Sequence, residues 1–209
     1  MADGRPILDL DGLARVFGER RVVDDLSLEV GAGERVALVG PNGSGKTTVL
    51  RCVAGTLAPT SGRVLVEGYD AGSVDARRST GVSLAQERSF YQRLTGRANL
   101  LFFARLRYGN RRRAARDVDE LVSELELTEI VEQRLDRCST GQVQQLAFAR
   151  ALLGRPTLIL LDEPTRSLDQ DARARVWRAL DRRPGTAVVI ATHLEEDLER
   201  CGTRVDLPR

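Results

Sequence analysis

Several residue types are scarce in this 209-residue chain. It has three cysteines, one histidine, one methionine and one tryptophan, and aromatic residues make up 4% of it. The cysteines, at positions 52, 138 and 201, are odd in number and far apart, which excludes a disulfide framework or a cysteine-rich metal site. No apolar run reaches the roughly 18 residues of a membrane span. Residues 1–11 carry acids and lack the pattern of a signal peptide, so we expect a protein of the reducing cytosol.

Charge is balanced along the chain. There are 32 Lys and Arg residues against 30 Asp and Glu, which gives a formal net charge of +2. A chain with this balance lacks the broad positive potential that is typical of nucleic-acid-binding proteins, so no nucleic-acid partner is expected. One local cluster, formed by Arg111, Arg112, Arg113 and Arg116, is open to two interpretations. It is either a solvated helix start or a contact with acidic headgroups or an acidic partner.

The one lysine of the chain, Lys46, lies in a glycine-rich segment with the pattern Gly-x-x-x-x-Gly-Lys-Thr over residues 40–47. This segment follows an apolar run at 35–39 and leads into a helical pattern, and that context makes the motif specific. Its glycines let backbone N–H groups point inward around phosphates, and the helix start adds partial positive charge. We predict that Lys46 reaches the β- and γ-phosphates of a nucleotide and that Thr47 holds Mg²⁺. The candidate nucleotide-binding residues here are Gly40, Pro41, Asn42, Gly43, Ser44, Gly45, Lys46, Thr47 and Thr48.

A second candidate site follows the apolar run at residues 158–161. That run indicates a strand buried on both faces, and it ends in Asp162 and Glu163. Adjacent carboxylates at the carboxyl end of such a strand point in different directions, which allows two roles. We predict that Asp162 orients the hydration shell of Mg²⁺ and that Glu163 acts on water as a general base. A pair of solvated charges is the alternative.

The order of apolar patterns predicts an α/β fold. Short apolar runs alternate with helical patterns near both ends of the chain, which is typical of a parallel sheet with helices packed on it. The apolar patterns at residues 7–10 and 22–30 favour an additional antiparallel β layer. From 95 to 127 the apolar spacing is helical. We expect a single domain over 1–209. It would have a P-loop NTPase parallel-sheet core at 1–86 and 141–209, an N-terminal antiparallel β subdomain, and an inserted α-helical subdomain at about 87–140.

A third segment makes the pattern more specific. It runs Cys138-Ser139-Thr140-Gly141-Gln142 and continues into Ala-Arg-Ala-Leu at 149–152, shortly before the acidic pair. It resembles the signature of the ATP-binding cassette (ABC) family, and this resemblance extends over nearly the whole chain. At a helix start, the Ser139 hydroxyl and the N–H groups around Gly141 would face an anion. The resemblance implies that this anion is the γ-phosphate of ATP on an opposite protomer, so that two chains sandwich two ATP molecules head to tail.

Four further positions fit the resemblance in chain order. Phe17 stands where the family stacks an aromatic ring on adenine, and Gln86 stands at the loop that contacts the metal and the lytic water. Asp169, in Ser-Leu-Asp, resembles the loop that crosses the dimer interface, and His193 matches the switch histidine that touches the γ-phosphate. The candidate catalytic residues are thus Lys46, Gln86, Glu163 and His193, and the candidate metal ligands are Thr47, Gln86 and Asp162.

The chain departs from the family pattern at several positions. Cys138 replaces a leucine, Thr140 the first glycine, Gln145 a common arginine, Ala98 a glutamate and Thr203 an aspartate. The β-carbon of Thr140 stands where the family backbone approaches phosphate closely. The signature is therefore the least regular of the motifs.

The resemblance implies a transport-coupled ATP hydrolase that uses ATP and Mg²⁺. Such a chain works as a dimer with an identical or related cassette, on a separate integral membrane permease, at the inner face of the cell membrane. The Ser-Thr-Gly-Gln variant favours export. A soluble cassette ATPase acting on DNA or ribosomes, and a haem- or cytochrome-biogenesis exporter subunit, are the alternatives within the family. A small-molecule P-loop kinase would fit the phosphate loop, but not the signature or His193.

Overall fold

The structure is a computed structural model, and it describes residues 5–84 and 90–208. Within them the strands are β1 Leu8–Phe17, β2 Arg20–Val30, β3 Arg35–Val39, β4 Ser61–Val66, β5 Tyr69–Asp70, β6 Thr80–Ser83, β7 Leu158–Asp162, β8 Ala187–Ala191 and β9 Thr203–Asp206. The α-helices are α1 Lys46–Val53, α2 Val74–Ser79, α3 Gly96–Tyr108, α4 Arg111–Glu124, α5 Thr128–Val131, α6 Thr140–Leu152, α7 Gln170–Asp181 and α8 Glu195–Leu198. None of the described helices is long and apolar enough to cross a membrane.

The strands form two sheets. Four of them make an antiparallel sheet in the order β2-β1-β4-β5, and five make a parallel sheet in the order β6-β7-β8-β3-β9. Helices α3, α4 and α5 follow β6, and the chain returns to the parallel sheet through α6. The predicted α/β fold, with a parallel core, an antiparallel N-terminal sheet and inserted helices, is confirmed.

Strands β7 and β8 of the parallel sheet are buried on both faces, and the sequence of β7 shows how. All five residues of β7 are buried. Leu158 and Leu160 pack into the cluster shared with the antiparallel sheet and α1, whereas Ile159 and Leu161 pack into the helical cluster on the other side. Because side chains alternate along a strand, an unbroken apolar run fills two cores at once.

Local signals set the ends of the inserted helices. The Thr95 hydroxyl accepts from the N–H of Ala98 at the start of α3, and Gly109, with φ 61°, ends that helix. Asn110 then caps α4 in the same way. The exposed arginine cluster lies in the first two turns of α4.

A charge pair joins the inserted helices to the core. Arg183 donates from Nη1 and Nη2 to the two carboxylate oxygens of Glu124, both at 2.7 Å. Each side chain is 18% exposed. Hydrogen bonds from Arg183 lower the pKa of Glu124 below its ordinary value, so the pair is ionised at neutral pH.

Three strands bring the predicted functional segments together. β7, β8 and β3 are adjacent and parallel, so their carboxyl ends lie at one edge of the sheet. β3 leads into the glycine-rich loop, β7 into Glu163, and β8 into Thr192 and His193. Residues more than a hundred positions apart in the sequence therefore meet at one edge.

Candidate nucleotide-binding site

The loop between β3 and α1 depends on its glycines. Gly40, Gly43 and Gly45 have φ values of 152°, 83° and 98°, a region that side chains disfavour. A β-carbon on Gly40 would lie 2.6 Å from the backbone oxygen of Leu207, and one on Gly45 would lie 2.7 Å from that of Val22. The loop keeps this path only with glycine at both positions.

Lys46 opens α1 and turns back over its own loop. Its Nζ donates to the backbone oxygens of Gly40, at 2.6 Å, and Pro41, at 3.0 Å. Beside it, the Ser44 hydroxyl is buried and has no hydrogen-bond partner among the described residues. A buried polar atom without a partner is costly, and an incoming anion would relieve that cost. The loop therefore fits a phosphate group.

The first carboxylate of the acidic pair meets the first turn of α1. The Thr47 hydroxyl donates to Asp162 Oδ2 at 2.8 Å, although 115 residues separate them in the sequence. Hydroxyl and carboxylate oxygens are the donors that Mg²⁺ prefers. In the described part of the chain, no group of three or more His, Cys, Asp or Glu side chains could hold a metal. A Mg²⁺ ion at Thr47 and Asp162 would need further oxygen ligands, and phosphate and water can supply them.

The second carboxylate points at the histidine. Glu163 Oε1 lies 2.8 Å from His193 Nδ1, so a neutral imidazole that donates here carries its proton on Nδ1. Glu163 Oε2 is buried and lacks a hydrogen-bond partner within 5–84 and 90–208. Glu163 is 17% exposed and His193 54% exposed. The arrangement leaves one carboxylate oxygen available to accept a proton and holds the other on the imidazole.

One cleft is lined by residues of the phosphate loop and by both carboxylates of the acidic pair. It has a volume of about 570 Å³, and Lys46, Thr47, Asp162, Glu163 and Phe17 line it. The Phe17 ring is 45% exposed, and the guanidinium of Arg15 lies 4.4 Å from its centroid. An exposed ring at the rim of a phosphate cleft offers a stacking surface for a base.

Sequence analysis did not predict the basic rim of this cleft. Arg20, Arg51 and Arg166 line it together with the phosphate loop, and Arg20 Nη2 reaches Gly43 O at 3.4 Å. In a chain so rich in arginine these three carried no distinguishing signal. They add positive charge where an anionic ligand would enter.

The signature residues lie in a different cleft. Ser139 caps α6: its hydroxyl accepts from the N–H of Gln142 at 3.2 Å, while Gln142 Oε1 accepts from the N–H of Ser139 at 2.8 Å. A β-carbon on Gly141 would lie 2.6 Å from Ser167 O, so this glycine allows α6 to touch the loop after β7. Ser139, Thr140, Gly141 and Gln142 line a cleft of about 1130 Å³. That cleft shares no lining residue with the phosphate cleft.

Asp169 lies on the signature side as well. Its carboxylate caps α7 by accepting from the N–H of Ala172 at 2.8 Å, and it lines the signature cleft. Of the other predicted site residues, Gln86 lies outside the described residues. The structure thus divides the predicted site between two clefts on one chain.

Two further polar residues near the site were not predicted. Gln144, in α6, donates to Glu163 O and accepts from the N–H of Ser167. Asp197, in α8, is 1% exposed and accepts hydrogen bonds from the hydroxyls of Thr165 and Thr192. Burial raises the pKa of Asp197, and these hydrogen bonds oppose the rise. Both side chains brace the loops that carry Glu163 and His193.

The cysteines take no part in the site chemistry. All three are free thiols. Burial raises the pKa of Cys52 and of Cys201 to about 11, and it also raises the pKa of Cys138, where Asp136 adds to the effect. Thiols with raised pKa values are poor nucleophiles at neutral pH.

Comparison with known proteins identifies the family. A family model described as ABC transporter matches residues 23–166. An uncharacterized ABC transporter ATP-binding protein of Bacillus subtilis, YdbJ, is 37% identical over 96% of this chain. A spermidine/putrescine import ATP-binding protein, PotA of Chromobacterium violaceum, and a Nod factor export ATP-binding protein I of Rhizobium sp. are each 35% identical, over 90% and 95% of the chain. The chain spans 65%, 53% and 66% of the lengths of these three relatives.

Solved structures agree in fold. A dimeric bacterial ABC transporter cassette, MJ0796, matches 96% of this chain and 94% of its own with a TM-score of 0.86 at 25% identity. A post-hydrolysis dimer of the same cassette, bound to ADP and Pi, matches with a TM-score of 0.84 at 26% identity and the same coverage. The chain belongs to the ABC transporter family, as one of its ATP-binding cassettes. The family predicted from the sequence motifs is confirmed.

Proposed function

We propose that this chain hydrolyses ATP in a head-to-tail dimer and thereby drives transport through a separate membrane subunit. One observation carries the proposal: the phosphate loop and the signature line two clefts with no residue in common. One chain therefore holds one half of each of two composite sites. A second cassette, identical or related, would bring its signature over the phosphate cleft of the first. The dimeric MJ0796 cassette supports this arrangement.

In the phosphate cleft, the roles follow from the contacts. Lys46 would leave the two carbonyl oxygens of its own loop and bind the β- and γ-phosphates, and the Ser44 hydroxyl would gain a partner. Phe17 would stack on adenine. Thr47 and Asp162 would hold Mg²⁺ together with Gln86, which the family resemblance adds, and the ion neutralises phosphate charge when it is bound.

Glu163 and His193 would carry out the proton chemistry. The free Oε2 of Glu163 would accept a proton from the attacking water, and the hydrogen bond from His193 to Oε1 would hold the carboxylate in place. The other imidazole nitrogen of His193 would then face the γ-phosphate. From the second protomer, the Ser139 hydroxyl and the first N–H groups of α6 would stabilise the same phosphate, and Asp169 would lie near the dimer interface.

A surface for the membrane subunit lies on α3 and the segment before it. Tyr91, Leu94, Phe102 and Leu106 are 50%, 41%, 36% and 70% exposed, and the rings of Tyr91 and Phe102 pack edge to face at 5.0 Å. Exposed apolar groups of this size mark an interaction site more often than a solvated face. Phe103, whose ring contacts that of Phe102 at 5.3 Å, helps to line a groove of about 260 Å³. We propose that the permease docks here, which places the chain at the inner face of the membrane.

The direction of transport is a separate proposal. Relatives named for import and for export match the chain at the same 35% identity. Export therefore rests on the Ser-Thr-Gly-Gln variant of the signature.

We also propose that the chain is a single domain, with a core at 1–86 and 141–209 and a helical subdomain at about 87–140.

ATP turnover tests the central activity. The wild-type chain should release phosphate from Mg-ATP, with a rate per chain that rises with protein concentration because each site needs two chains. Glu163→Gln should lower kcat by about 10²- to 10⁴-fold and leave ATP binding intact. The exposed Glu199 provides a matched control, since Glu199→Gln removes an equal charge away from the cleft. Equal turnover in the two variants would overturn the assignment of Glu163, and a rate that never responds to a membrane subunit copurified with the chain would contradict transport coupling.

A further inference from the structure

The backbone of Glu163 has an uncommon conformation. Its φ is 49°, in the left-handed region that residues with a side chain avoid. Such a conformation persists only where the surroundings hold it in place. In this chain it turns the residue that follows the buried strand β7 so that its carboxylate meets His193.

Three hydrogen bonds hold the backbone of Glu163. Its N–H donates to Ala191 O, at the end of β8, at 2.8 Å. Its carbonyl oxygen accepts from the N–H of Arg166 at 3.4 Å and from Nε2 of Gln144, in the second turn of α6. The bonds to Ala191 and from Arg166 are between backbone groups, whereas the bond from Gln144 depends on a side chain of another element.

The same side chain also contacts the loop beyond Glu163. Oε1 of Gln144 accepts from the N–H of Ser167 at 3.3 Å, so its amide group bridges two points of the loop. One turn earlier in α6, Gly141 lies against Ser167 O so closely that a β-carbon there would be 2.6 Å away. The start of α6 is therefore joined to this loop by packing and by hydrogen bonds.

We propose that Gln144 is a positioning residue that holds Glu163 in its catalytic conformation and links it to the signature helix. The inference rests on the proposed function, because it assigns a partner to the proposed general base. Gln144 lies five residues after Ser139 in the same helix. Its bond to Glu163 therefore connects the half-site that faces the second protomer with the carboxylate of the chain's own phosphate cleft.

Substitutions at Gln144 can separate its two hydrogen bonds. Gln144→Met keeps the size of the side chain and removes both bonds. Gln144→Glu keeps an acceptor for the N–H of Ser167 but removes the donor to Glu163 O. Gln144→Lys keeps a donor and removes the acceptor. Gln133→Met is the matched control, because Gln133 follows α5 and lines neither the phosphate cleft nor the signature cleft.

The experiment measures kcat, ATP affinity and melting temperature for each full-length variant. The loss of one positioning hydrogen bond should lower kcat about tenfold in Gln144→Met and Gln144→Glu, with ATP affinity within about twofold of wild type. Gln144→Lys should retain more activity than either, and Gln133→Met should match wild type. If the Met variant does not fold, the comparison of Glu with Lys still decides the question.

Two outcomes would overturn the proposal. Wild-type kcat in both Gln144→Met and Gln144→Glu would show that the bond to Glu163 does not position the base. Equal losses of kcat, ATP affinity and melting temperature would show a structural role only. The wild-type rate and the Glu163→Gln rate, measured alongside, separate these outcomes from a failure of the proposed ATPase function itself.

Discussion

The ion pair between Glu124 and Arg183 allows a quantitative test of how the inserted helices are held to the core. Both hydrogen bonds are 2.7 Å long, and each side chain is 18% exposed, so the pair lies between a surface pair and a buried one. Exposed pairs contribute about 0–1 kcal/mol, and breaking a buried pair costs about 3–5 kcal/mol. We therefore expect Glu124→Gln to lower the free energy of unfolding by about 2 kcal/mol at pH 7. For a chain of 209 residues this corresponds to a fall in Tm of about 4–8 °C.

The effect should depend on pH in a defined direction. Hydrogen bonds from Arg183 lower the pKa of Glu124 below its ordinary value of 4.5, so its stabilising contribution is present above that pH and is lost as pH falls through the lowered pKa. Denaturant unfolding of wild type and Glu124→Gln between pH 7 and pH 3 would measure this. Glu126→Gln is the matched control, because Glu126 is 62% exposed and lies 3.4 Å or more from its arginine partners. A gap between wild type and Glu124→Gln that stays constant on acidification, or that equals the effect of Glu126→Gln, would refute the reasoning.

Three predictions concern the site itself. Lys46→Ala should weaken ATP binding by about 10- to 100-fold, because it removes charged hydrogen bonds to phosphate. Titration calorimetry measures this affinity, and an unchanged value would disprove that Lys46 binds phosphate. Gly45→Ala should also impair ATP binding, because Gly45 has a φ of 98° and a β-carbon there would lie 2.7 Å from the backbone oxygen of Val22. Wild-type affinity for ATP in this variant would mean that the loop adapts to the methyl group. His193→Ala should lower kcat by about 10²-fold or more with little change in ATP affinity. Single-turnover kinetics would separate the two effects, and a loss of affinity alone would contradict the role of His193 in the chemical step.

Much of the fold could be predicted because the strands at the site are buried on both faces. The run at 158–161 is unbroken and apolar because its residues alternate between two cores, and the structure has a strand at Leu158–Asp162. The elements that sequence analysis missed have weaker local patterns. α2, Val74–Ser79, contains one buried residue, Ala76, and depends on the Ser73 cap. β9, Thr203–Asp206, is short and mostly exposed, and its pairing with β3 determines it.

The predicted site residues belong to motifs whose residue types and spacing along the chain are specific to phosphate and Mg²⁺ binding. Thr47 and Asp162 meet because two parallel strands end at the same edge, which the apolar pattern predicts. The roles of Gln144 and Asp197 could not be predicted in this way. Each contacts segments that are far from it in the sequence, and each is one of many polar residues on a helix. Only the packing of α6 and α8 against the loops after β7 and β8 reveals them.

Because the predicted site is divided between two clefts, the proposed function depends on dimerisation, and one measurement tests dimerisation directly. It is the solution mass of the Glu163→Gln variant, with and without Mg-ATP, since this variant should bind ATP without consuming it. We predict a monomer that becomes a dimer only when Mg-ATP is present, with the signature segment 138–142 of each chain covering the phosphate cleft of the other. A chain that binds Mg-ATP and stays monomeric at every concentration would contradict the claim that two copies complete the site.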